Sequence, residues 1–107
     1  MSFHESAVPG SIRLEGPCLH ALLRDEQGGE RPAMVDLDQF IGNNDGHFQW
    51  GGNNFFETAR GVYFDIEGGA NVPVLRAELR DEQGGWRTAD VNLAERLFNI
   101  NGRFEFQ

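Results

Sequence analysis

The stretch Leu23-Arg24-Asp25-Glu26-Gln27-Gly28-Gly29 returns unchanged as Leu79-Arg80-Asp81-Glu82-Gln83-Gly84-Gly85. The offset of 56 extends outward from this heptapeptide: Leu19 to Trp50 align with Leu75 to Phe106 without a gap, and 16 of 32 positions are identical. Upstream the offset becomes 52, where Phe3, Glu5, Ser6 and Ala7 meet Phe55, Glu57, Thr58 and Ala59. Four extra residues in the stretch Gly69 to Val72 restore the register at Pro17 and Pro73. The chain is one unit written twice. A unit of about 50 residues is marginal as an independent core, and solenoid stacking generally needs three or more repeats. The expected result is a closed body with approximate twofold symmetry and two related surface sites.

Within each unit the pattern is β. Ile12-Arg13-Leu14-Glu15 and Val62-Tyr63-Phe64-Asp65-Ile66 alternate or nearly so, and Leu19 to Leu23 leads through Gln-Gly-Gly into a strand containing Val35 and Leu37, a hairpin repeated around Gly84-Gly85. Leu37, Phe40 and Ile41, like Leu93, Arg96 and Leu97, stand at helical spacing for a single turn. Asn43-Asn44-Asp45-Gly46 and Asn99-Ile100-Asn101-Gly102 are turns into strands whose Phe48, Trp50, Phe104 and Phe106 face inward.

Composition narrows the function. Lys+Arg 9 against Asp+Glu 17 gives a net charge of −8, which argues against nucleic acid as a partner. All the cations are Arg, so Lys-dependent phosphate loops and Schiff bases are excluded. Cys18 has no partner for a disulfide or a thiolate metal site. His4, His20 and His47 lack paired ligand spacing, and the serines lie in no GxSxG elbow. Neither a catalytic residue, a metal nor a cofactor is expected, and no segment is apolar enough to engage a membrane. The N-terminus lacks a basic and apolar leader, so a cytoplasmic protein is expected, with unconventional secretion left open.

Amides and carboxylates concentrate in the segment containing Asn43, Asn44, Asp45, Gln49, Asn53, Asn54 and Glu57, joined by His47 and Thr58. Planar amides and carboxylates can satisfy two adjacent hydroxyls, each both donor and acceptor, as recognition of a sugar ring requires. A solvated loop has the same composition, and an Asx turn accounts for Asp45-Gly46 alone.

These residues resemble the cyanovirin-N homologues, small mannose-binding lectins built from two tandem repeats. The resemblance is carried by Val35-Asp36-Leu37, Ile41-Gly42-Asn43-Asn44-Asp45-Gly46-His47-Phe48-Gln49-Trp50 and Asn54-Phe55-Phe56-Glu57-Thr58-Ala59-Arg60, with Val91-Asn92-Leu93 and Asn99-Ile100-Asn101-Gly102 as the second copy. It implies an all-β fold in which each half is a triple-stranded sheet plus a β-hairpin exchanged with the other half, with short helical turns and an elongated pseudo-twofold outline. One domain would span 1–107, with pseudo-domain A at 1–40 plus 97–107 and pseudo-domain B at 41–96. It further implies metal-free binding of α1-2-linked mannose at the ends of high-mannose glycans. The central site, in pseudo-domain B, would use Asn43, Asp45, Asn53, Asn54, Glu57 and Thr58, walled by Asp81, Glu82 and Gly84. The site near the termini, in pseudo-domain A, would use Ser2, Glu5, Ser6, Arg24, Asp25, Glu26, Asn99 and Asn101.

Departures from the family pattern shape the expectation. Ala7, Leu23, Ala59 and Leu79 stand where the resemblance would put two disulfides, so packing must replace the cross-links. Glu82 and Gly84 occupy turn positions where the family has Arg and Gln, and the terminal site carries acidic Glu5 and Glu26 with Asn101 in place of an acid. Weak binding at mainly one site is expected, with the central one preferred for keeping more of the polar set. A glycosidase using Asp45 and Glu57, or a protein-interaction module, is the alternative. Gly51-Gly52 in the hinge lets the chain reverse, which favours a monomer over a dimer that swaps its halves.

Overall fold

A computed structural model of the chain describes residues 2–107. Ten strands form in order: β1 Arg13–Glu15, β2 Cys18–Arg24, β3 Glu30–Asp36, β4 Ile41–Asn44, β5 His47–Trp50, β6 Ala59–Glu67, β7 Val72–Arg80, β8 Trp86–Asn92, β9 Leu97–Ile100 and β10 Arg103–Phe106. They make two antiparallel three-stranded sheets, β1-β2-β3 and β6-β7-β8, and two hairpins, β4-β5 and β9-β10. Hairpin β9-β10 packs on β3, and hairpin β4-β5 packs on β8. Each repeat thus lends its C-terminal hairpin to the sheet of the other. The molecule is elongated, 50 × 27 × 20 Å.

The sequence period explains the core. β2 reads half-buried, buried, half-buried, buried along Cys18, Leu19, His20 and Ala21, the two-residue alternation of a strand with one face inward. Its twin β7 buries Leu75, Ala77 and Leu79 the same way. Apart from Pro73, the large fully buried side chains come in pairs from the two repeats: Phe3 and Phe55, Leu19 and Leu75, Leu23 and Leu79, Leu37 and Leu93, Ile41 and Leu97. Burying each large apolar side chain is worth roughly 1.5–3 kcal/mol. No disulfide is needed at the four aliphatic positions: Ala7 bridges Leu23 and Ala59 pairs with Leu79, all but Ala59 buried.

The turns expected at Leu37 and Leu93 are 3-10 helical, Leu37–Gln39 and Leu93–Glu95, each capped by the side chain before it, Asp36 Oδ1 to Asp38 N and Asn92 Oδ1 to Ala94 N. Two further 3-10 turns form at Phe3–Ser6 and Phe55–Thr58, the matching positions of the two repeats; Phe3 and Phe55 are buried and anchor them. The hinge reverses at Gly51, whose φ of +84° suits glycine. Its N–H donates to Phe40 O, and the next residue packs backbone against backbone, since a Cβ on Gly52 would lie 2.9 Å from Gly42 Cα. Phe40 and Trp50 stack around Phe106, with centroids at 4.7 and 5.7 Å, and so join the roots of the two hairpins at the waist of the molecule.

Candidate functional site

The hairpin exchange brings the amide turns of one repeat against the Asp-Glu-Gln-Gly-Gly turns of the other. Asn43, on β4, donates through Nδ2 to Thr58 Oγ1 and to Arg80 O, both at 2.8 Å, and accepts Gly46 N through Oδ1 at 2.8 Å. Asn99, on β9, donates to Ser6 Oγ at 2.7 Å and Arg24 O at 2.9 Å, and accepts Gly102 N at 2.8 Å. Asp45 accepts Glu82 N at 2.9 Å, as Asn101 accepts Glu26 N at 3.0 Å. The same frame is therefore built twice.

Each frame rests on a braced aspartate turn. Asp25 accepts the N–H groups of Gln27 and Gly29 and is held by Arg31 Nε at 2.8 Å; Asp81 accepts those of Gln83 and Gly85 and is held by Arg87 Nε at 3.0 Å. The two carboxylates are over nine-tenths covered. The Arg31 hydrogen bond, seconded by Gly29 N–H, holds the Asp25 carboxyl below its ordinary range, and the Gly85 N–H, followed by Arg87, does the same for Asp81. These arginines also receive the hairpin tips. A Cβ on Gly46 would meet Arg87 Cδ at 2.6 Å, and one on Gly102 would meet Arg31 Cδ at 2.7 Å. Arg31 and Arg87 were missed by sequence reasoning, although they align at the offset of 56.

At the terminal site six of the expected eight residues, Ser6, Arg24, Asp25, Glu26, Asn99 and Asn101, line one cleft of about 340 Å³. Ser2 instead bridges Phe98, and Glu5 lines an adjoining groove. At the central site Asn43, Asp45, Thr58, Asp81 and Glu82 meet through the bonds above, with Gly84 in the braced turn. Asn53 and Asn54, on the approach to the 3-10 turn, and Glu57, within it, are exposed, Asn54 with φ +59° and its N–H on Asp38 O.

This geometry divides the expected ligand set into two kinds. Asn43 and Asn99 have spent both amide hydrogens on the frame, so they position and do not donate outward. The side chains of Glu5, Glu26, Glu57, Glu82 and Arg24 make no internal hydrogen bond among the described residues and are exposed, free to meet hydroxyls. No group of three or more His, Cys, Asp or Glu among the described residues could hold a metal ion.

The model of the CVNH domain matches residues 3–105. A cyanovirin-N homologue of Neurospora crassa is 50% identical over 98% of this chain and 97% of its own. Among solved structures, a designed cyanovirin-N homologue lectin superposes with a TM-score of 0.91 at 47% identity, covering 100% of both chains. A MoCVNH3 variant in complex with (N-GlcNAc)4 superposes with a TM-score of 0.84 at 26% identity, covering 98% of this chain and 96% of its own. With a repeat in its sequence, exchanged hairpins in its fold and a match across nearly its whole length, the chain belongs to the cyanovirin-N homologue family of carbohydrate-binding lectins.

Proposed function

We propose that the protein binds the α1-2-linked mannose ends of high-mannose glycans, without metal, weakly and mainly at one site, that of the terminal cleft. The observation that carries this is the cleft itself: a preorganised frame around Asn99 surrounds Arg24, Glu26 and Asn101, a mixed donor and acceptor set on a concave surface. The sequence ranks the central site, around Asn43, Asn53, Asn54, Glu57 and Thr58, first, and the titration below distinguishes the two. On this reading the functional units are 1–40 with 97–107 and 41–96, one site in each.

Amide NMR shifts during titration with Manα1-2Man test the proposal. Shifts at Arg24, Glu26 and Asn101, unchanged by EDTA, are expected; none at millimolar disaccharide overturns it. The tetrasaccharide bound to the MoCVNH3 variant favours a second reading, N-acetylglucosamine oligomers, which the same titration with chitotetraose distinguishes.

A further inference from the structure

Beside the terminal cleft runs a larger groove of about 620 Å³, within the range that encloses small ligands, roughly 300–1,000 Å³. Its walls come from the segment His4 to Ile12 of the first repeat and from Phe64 to Asn71 of the second. Arg24 lines both the groove and the cleft. We infer that the two form one continuous carbohydrate surface, and that the groove takes the rings of a linear oligosaccharide beyond the disaccharide seated in the cleft. The inference rests on the cleft being a sugar site.

Three features select the ligand class. The polar groups are balanced in kind but acidic in sum, one guanidinium, Arg24, against the carboxylates of Glu5 and Asp65, so an anionic ligand is repelled. Among the described residues no cluster suits a metal cation. The floor is apolar, with Ile12, Phe64 and Ile66, and Ile66 is left 40% exposed. A neutral pyranose matches both halves of such a lining, its hydroxyls meeting the charged rim and Asn71 and its C–H face lying on the floor. His4 also lines the groove, its Nδ1 buried without a hydrogen-bond partner.

The groove also lies where the repeats differ. Ala70 and Asn71 belong to the β6-β7 turn, Gly68 to Asn71, whereas the first repeat closes the matching hairpin with Gly16 and Pro17 alone. The extra residues thus supply a wall that the shorter hairpin lacks.

The test is calorimetric and NMR titration of the intact protein with α1-2-linked mannobiose and mannotetraose. A tetramer contains three disaccharide frames, a statistical gain of about threefold. A gain of about tenfold or more is expected, the equivalent of one or two new hydrogen bonds, with amide shifts at Val8, Gly10, Ile66 and Asn71 that the disaccharide does not produce. Ile66→Asp should remove the excess gain and leave mannobiose affinity unchanged; Ala70→Glu, at an exposed turn, should do the same and guards against misfolding of the first variant. Equal shifts in the cleft with none in the groove would overturn the inference and leave the lectin reading intact. Shifts confined to the groove would refute the continuity across Arg24. Absence of shifts with either sugar would overturn both.

Discussion

Asn43→Asp is the sharpest probe of the duplicated frame, because it changes one group and keeps the shape. The substitution preserves the oxygen that accepts Gly46 N at 2.8 Å but replaces the NH2 that bridges Thr58 Oγ1 and Arg80 O. The Thr58 hydroxyl can turn and donate; the Arg80 carbonyl cannot, and it would face a carboxylate oxygen at 2.8 Å. One neutral hydrogen bond, about 0.5–1.5 kcal/mol net, is lost and the exposed Arg80 carbonyl is left facing a carboxylate oxygen, whose repulsion brings the total to roughly 2 kcal/mol. For a chain of 107 residues that lowers Tm by about 10 °C. Urea denaturation should show a smaller midpoint at constant m, since the exposed surface on unfolding is the same. Asn99→Asp, which meets Ser6 Oγ and Arg24 O in the same way, should cost a similar amount. A loss under about 0.5 kcal/mol in both variants would show that the amides do not hold the hairpins, and that the frame is an incidental arrangement of exposed groups.

Acid should loosen the molecule. Asp25 and Asp81 have folded pKa values below the ordinary 3.8, so the unfolded chain takes up protons first; their stabilisation is full above that value and is lost as pH falls through the folded values. Urea midpoints measured from pH 6 down to 2.5 should decline below about pH 4, more shallowly in Asp81→Asn, and parallel curves would refute the assignment. Asp38 has the opposite sign: burial, then Asp36 and Glu57, raises its pKa while Phe56 N donates to Oδ1. Asp38→Asn keeps that acceptor and removes the charge, so Tm at pH 7 should stay level or rise; a fall of several degrees would contradict it. Cys18 is a free thiol with no disulfide to reduce, so dithiothreitol should leave Tm unchanged; burial and the nearby Asp36, Asp38 and Glu15 raise its pKa, so alkylation at pH 7 should be slow. Gly52→Pro removes the bond to Gln49 O and crowds Gly42, so sedimentation should show a monomer giving way to dimer, and a wild-type dimer that survives dilution would refute the hinge argument.

The repeat, the strands and the single turns at Leu37 and Leu93 were legible because each rests on local period. The exchange of hairpins rests on no local period and was legible only through the family resemblance. Nothing in the alternation of Phe48 and Trp50 says which sheet receives them; the cross-repeat contacts that hold the hairpin there, Asn43 on Arg80 O, Asp45 on Glu82 N and Gly46 against Arg87 41 residues on, join residues ordinary in themselves. The positions of the turns at Phe3 and Phe55 were hidden for another reason: each is anchored by one buried ring among polar neighbours that show no helical period. For the candidate site, the sequence names a polar set but says nothing of a division of labour within it. Composition marks Asn43 and Glu57 alike as polar, and only the hydrogen-bond partners separate the amide that is spent on the frame from the carboxylate left free.

The crossed hairpins also bear on ancestry. A chain carrying one repeat has a sheet with an uncovered face and a hairpin with no sheet of its own to cover, and both needs are met by a second copy offering the same two parts. Such a half-length protein would be an obligate symmetric pair, with two identical clefts, each assembled from both partners. Fusing the copies end to end would free each half to diverge, but only under a matching rule: Asn99 answers to Arg24 and Ser6, and Asn43 to Arg80 and Thr58. A drift in one repeat's hairpin is therefore felt in the other repeat's turn. In this architecture the inherited unit of change is the half, while the selected unit of binding is always composed of both.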